Sequence, residues 1–102
     1  MRIFNLSEMQ GFPYKERDKN VFYNSKEFKA RIIKLSGNEE IPSCEMSSFV
    51  VFYVLEGEAE LSVNQEKSEI KPGMCIITDP AIFSLKTKNG VKILGIQINK
   101  QI

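Results

Sequence analysis

The chain has 102 residues, 42% of them hydrophobic, enough for one folded domain with one core. Its 14 Lys and Arg against 13 Asp and Glu give a net charge of +1. That balance excludes the clustered basic surface that tracks phosphates, so no nucleic-acid partner is expected. There is no histidine at all, which removes the commonest general base and the commonest transition-metal ligand.

Residues 1–20 read as a lead-in, in which Ile3, Phe4, Leu6, Met9 and Phe12 follow no single period. Ser7 ahead of Glu8-Met9-Gln10-Gly11 predicts one helical turn, capped by the serine and stopped by the glycine. Lys15-Glu16-Arg17-Asp18-Lys19 mixes signs and reads as a solvated loop. The opening residues lack the long apolar stretch of a secretion signal, and no later run nears the roughly 18 residues of a membrane span. A cytoplasmic location away from membranes is expected. Cys44 and Cys75 are too few for a disulfide scaffold and are expected to stay reduced.

From Val21 onward the pattern is β. Val21-Phe22-Tyr23 and Phe28 to Leu35 predict strands, the second closed by Ser36-Gly37-Asn38. Phe49 to Leu55 is a continuous apolar run and predicts a strand buried on both faces. Ala59, Leu61 and Val63 alternate with Glu58, Glu60 and Ser62, which gives a strand with one wet face. Asn64-Gln65 predicts a hairpin tip. Pro72-Gly73 fits the centre of a type II turn, where proline presets φ and glycine accepts a positive φ. Cys75 to Thr78 and Ile82 to Thr87 are short strands separated by Asp79-Pro80. Asn89-Gly90 signals a hairpin into Val91 to Ile98. Many short strands with no long helix predict an all-β sandwich or barrel.

The segment Phe52-Tyr53-Val54-Leu55-Glu56-Gly57-Glu58, followed by Lys71-Pro72-Gly73-Met74, resembles the cupin superfamily over roughly residues 28–98. The resemblance implies a double-stranded β-helix, or jelly-roll barrel. It also implies a metal held by histidines, and here the match ends. Gly37 and Gly57 take the framing glycine positions of the first cupin motif. Counting back from Gly57 puts Val50 at the glutamate position and Ser43 and Glu45 at the two histidine positions. A one-residue shift puts Cys44 and Met46 there instead. In the second motif Pro72 and Gly73 match, and Ser84 falls at the ligand histidine. By the same resemblance terminal strands exchange between subunits, with residues 1–25 as candidates.

Without imidazole, only Cys44, Glu45 and Cys75 form a conceivable soft or mixed donor set, and their spacing is a weak zinc signature. No metal and no cofactor are expected. Glu56, Glu58 and Glu60, at spacing two, read as a solvent-facing strand edge rather than a cation site. The leading expectation is a non-catalytic domain that binds or senses a small molecule, with Ser43, Glu45, Val50, Phe52 and Ser84 lining its pocket. The alternative is a metal-independent isomerase, epimerase or lyase on a sugar or small acid, with Glu45 as base and Tyr53 or Ser84 assisting. A further alternative is a metalloenzyme with non-standard ligands. A homodimer is expected, because apolar outer positions such as Tyr53 and Leu55 need cover.

Overall fold

Almost every connection in this chain carries it from one sheet to another. The computed structural model describes residues 1–99. Its strands are β1 (Val21–Asn24), β2 (Phe28–Leu35), β3 (Glu40–Met46), β4 (Phe49–Gly57), β5 (Ala59–Val63), β6 (Glu66–Ile70), β7 (Cys75–Thr78), β8 (Ala81–Lys86) and β9 (Val91–Ile98). One sheet has the order β1-β2-β9-β4-β7 and the other β3-β8-β5-β6, with all pairings antiparallel. Only the β1–β2 and β5–β6 connections stay within a sheet. This is an all-β double-stranded β-helix.

The corners follow local chemistry. Asn64 and Gln65 both have positive φ (49° and 73°) between paired Val63 and Glu66, the two-residue turn that matches strand twist. Gly73 has φ 88°, and Met74 N–H donates to the Lys71 carbonyl at 3.1 Å, closing the expected turn. At Gly57 the chain leaves one sheet for the other with φ 79°, and a Cβ there would run into the Gly90 carbonyl oxygen. This corner divides the three acids: Glu56 lies on β4 opposite Lys92, and Glu60 on β5 opposite Lys86. They are not one row on one strand.

Leu35, Val54, Leu61, Ile70, Phe83 and Ile93 lead the buried cluster between the sheets. β4 does not follow the two-sided burial expected of it. Val50 and Val54 are buried, while Phe49 and Tyr53 on the opposite face are about two-fifths exposed (43% and 40%). The run is continuously apolar because its outer face is apolar as well, not because this chain covers it. Asn89-Gly90 is a turn but not a hairpin, since β8 and β9 belong to different sheets. β3 has no strong sequence signature. It is mostly exposed, contains Pro42, and lies at a sheet edge, where a proline costs no internal ladder bond.

The lead-in folds back on its own barrel. Its first turn, Leu6–Glu8, is capped by the Asn5 side chain, which accepts from Ser7 N–H at 3.2 Å, rather than by Ser7. Residues Tyr14–Asn20 form a kinked 3-10 stretch where a loop was expected. Gly11 lies against Ile32 and Lys34, and buried Lys92 donates from Nζ to the Leu6 carbonyl at 2.8 Å. β1 pairs with β2 of the same chain.

Candidate functional site

Alternation along each strand decides which side chains reach the interior. On β4 the inward residues are Val50, Phe52 and Val54. The ladder carries that face across the sheet: Phe52 lies opposite Gly95 of β9, and Gly95 opposite Arg31 of β2. On the other sheet Phe83 and Leu85 point in, and Phe52 meets Phe83 edge to face at 5.8 Å between centroids.

β3 sets its phase against β8. Cys44 lies opposite buried Phe83 and Met46 opposite buried Ala81, whereas Glu45 lies opposite exposed Ile82. Cys44 and Met46 therefore face the interior. Ser43 and Glu45 are exposed and face outward, which corrects the register that placed them inside. A bulge between Ile41 and Cys44 interrupts the pairing and resets the alternation.

Between the sheets, at the end covered by the lead-in, lies a cavity of about 350 Å³. Val50, Phe52 and Ser84 of the expected set border it, together with Cys44 and Met46. Ser84 sits on the outer phase of β8 and also borders a second hollow of about 320 Å³ with Ser43, Ser62 and Asn64. Gln97 lines the interior and donates from Nε2 to buried Ser48 Oγ at 3.4 Å, tying β9 to the β3–β4 connection. A larger hollow of about 640 Å³ lies outside the barrel near the Gly57 corner. Its rim is charged, and Lys86 already meets Glu60 there at 3.4 Å with both side chains well exposed. That is a solvated edge.

Sequence did not single out Tyr14, Arg17 or Arg31 among the lining residues. Tyr14 and Arg17 arrive from the 3-10 stretch, with the Arg17 guanidinium 4.4 Å from the Tyr14 ring centroid and Nη1 donating to the Tyr14 carbonyl at 3.2 Å. Arg31 comes from β2. A cation in phase with Ile33 and Leu35 on a strand, facing a glycine on its neighbour, was the available signal.

The residues present do not fit the metal that this barrel type often holds. The lining has no carboxylate and no imidazole, and Cys44 is its single thiol. Cys75 lies on β7 opposite Tyr53, on the outer face of the other sheet, so Cys44, Glu45 and Cys75 do not converge. Among the described residues no group of three His, Cys, Asp or Glu is placed to hold an ion.

No protein-family profile matches the sequence. No curated protein matches it either. Solved structures do. A conserved protein with a double-stranded β-helix domain from Klebsiella pneumoniae superposes with a TM-score of 0.81 at 19% identity, covering 96% of this chain and 90% of that one. A cupin superfamily protein from Desulfitobacterium hafniense gives a TM-score of 0.74 at 17% identity over 78% of this chain and 74% of that one. The chain has the cupin fold. Salicylate 1,2-dioxygenase from Pseudoaminobacter salicylatoxidans is also similar, with a TM-score of 0.67 at 16% identity over 71% of this chain, but this chain covers only 21% of that enzyme. The fold therefore does not choose between catalysis and binding; the cavity has to.

Proposed function

We propose that this cupin-fold domain binds or senses a small organic molecule in its barrel and performs no chemistry on it. The observation that carries the reading is the cavity lining. It is walled by Val50, Phe52, Leu61 and Phe83, offers an inward-facing amide from Gln97, and contains no carboxylate or imidazole to move a proton. Its volume lies at the low end of the roughly 300–1,000 Å³ typical of ligand sites. Glu45, the base of the alternative enzyme reading, is on the outer face of β3 and does not reach this space.

Self-association through the outer face of the five-stranded sheet belongs to the same reading. Phe28, Ile98 and Phe49 form one cross-strand row there, and Ile96, Val51 and Ile77 another. Ile77 is 72% exposed, an arrangement that favours cover by a second copy. A reducing compartment such as the cytoplasm suits two exposed free thiols on different sheets. Among the described residues no helix is long and apolar enough to cross a membrane.

The test uses the two thiols. Cys44 borders the cavity and Cys75 does not, so a ligand should slow alkylation of Cys44 by a maleimide and leave Cys75 unchanged. A small-molecule panel screened by this protection should produce hits, and a Cys44→Trp variant, which fills the cavity from an edge strand, should abolish their thermal shifts. Hits that stabilise Cys44→Trp as strongly as the natural protein would refute the site.

A further inference from the structure

We infer that the occupant is a small organic carboxylate, with its apolar body inside the barrel and its carboxylate at the mouth between Arg31 and Arg17. The inference rests on the binding reading above and names the ligand class.

Arg31 is built into the interior face. In the row Phe52–Gly95–Arg31, the middle residue has no side chain. A Cβ at Gly95 would come within 3.0 Å of Ile33 Cδ1 and 3.6 Å of Arg31 Cγ. The bare backbone of Gly95 thus makes room for the end of Ile33, and the Arg31 stem runs beside it at ordinary contact distance. A glycine in mid-strand weakens the strand and is expected where something must approach closely.

Among the described residues the charge of Arg31 has no acidic partner. The ion pairs among the described residues are Lys19–Glu16 and Lys86–Glu60, both at the surface. Among the described residues no side-chain hydrogen bond involves Arg31. Arg17, Arg31 and Lys34 border the cavity, and no acid does. Arg31 is half-buried, and a guanidinium beside an apolar space gains from an anion that meets it. Its planar fork matches a carboxylate in a bidentate pair. Arg17, held over Tyr14, supplies a second donor set at the same opening.

The walls also select the anion. β2, β9 and β4 each have a strand on both sides, so their backbone N–H groups are engaged in the ladders. Those three strands leave no backbone nest for a dianionic phosphate. The remaining surface is aliphatic and aromatic, with Val50, Phe52 and Phe83 prominent. One negative charge on a compact apolar body satisfies both halves of the site.

Titration calorimetry with 3-phenylpropionate and its neutral amide, each paired with the Cys44 alkylation readout, tests this. The acid should bind, slow Cys44 labelling, and exceed the amide by about tenfold or more. Arg31→Gln should weaken the acid by a similar factor and leave the amide unchanged, and Arg31→Lys should recover part of the loss. Circular dichroism should show both variants folded; Arg17→Gln, at an exposed position, gives the same test with less risk to the fold. Equal binding of acid and amide, insensitive to both arginines, would overturn the carboxylate assignment while leaving the cavity as a ligand site. Failure of acid and amide alike to bind or to protect Cys44 would overturn the carboxylate assignment too. If no compound of the wider panel protects Cys44 either, the binding reading falls with it.

Discussion

The side-chain amide of Asn20 grips both backbone polar groups of Phe12. Phe12 N–H donates to Asn20 Oδ1 at 2.7 Å, and Asn20 Nδ2 donates to the Phe12 carbonyl at 3.0 Å. One buried side chain thus imitates a strand partner and closes residues 12–20 into a loop that presents Tyr14 and Arg17 to the cavity. Asn20→Ala should strand two partly buried groups and cost about 1–3 kcal/mol. Thermal denaturation should show a fall in Tm of about 5–15 °C. Asn20→Asp keeps the acceptor but loses the donor, and should fall between the two.

Gly57 and Gly73 share a positive φ but differ in surroundings. Beside Gly57 stand the Gly90 carbonyl and, 2.8 Å from an added Cβ, the Val91 Cα; around Gly73 nothing lies within 4 Å. Gly73→Ala should cost only the left-handed backbone penalty, about 1–2 kcal/mol. Gly57→Ala adds a backbone clash that no side-chain rotation relieves, so about 3 kcal/mol or more is expected. Urea titration of the two variants checks the order. Equal midpoints would mean that the corner yields more easily than its contacts imply.

The outer apolar rows predict an association that one charge should break. Ile77→Lys alters an exposed side chain and should change stability by within about 0.5 kcal/mol. If the sheet faces a second copy, sedimentation should give a dimer for the natural chain and a monomer for this variant. A natural chain that sediments as a monomer at micromolar concentration would remove the dimer from the account.

Much of the barrel was legible because its signals are local. Phe28–Leu35, the Asn64-Gln65 tip and the Pro72-Gly73 turn each depend on a few neighbouring residues, and each stands where expected. What failed depends on distant partners. Asn89-Gly90 makes a turn, but whether the flanking strands pair is decided by the sheets they join. The inward phase of β3 hinges on a bulge at Pro42-Ser43, so counting back from Gly57 favoured Ser43/Glu45 over the shifted Cys44/Met46 until β8 supplied the register. Arg31 escaped notice because Ile32 and Ile33 are both apolar, which hides the phase of β2. Ile32 is buried on the outer face, beneath the lead-in at Gly11. Arg17 was masked by its neighbours, since a mixed charge run ordinarily belongs to solvent.

Native mass spectrometry of the freshly purified protein tests the central claim most directly. The account predicts no stoichiometric transition metal and an organic adduct that leaves on denaturation and is absent from Cys44→Trp. A stoichiometric metal mass that disappears in Cys44→Ala would contradict it and make the barrel a metal centre after all.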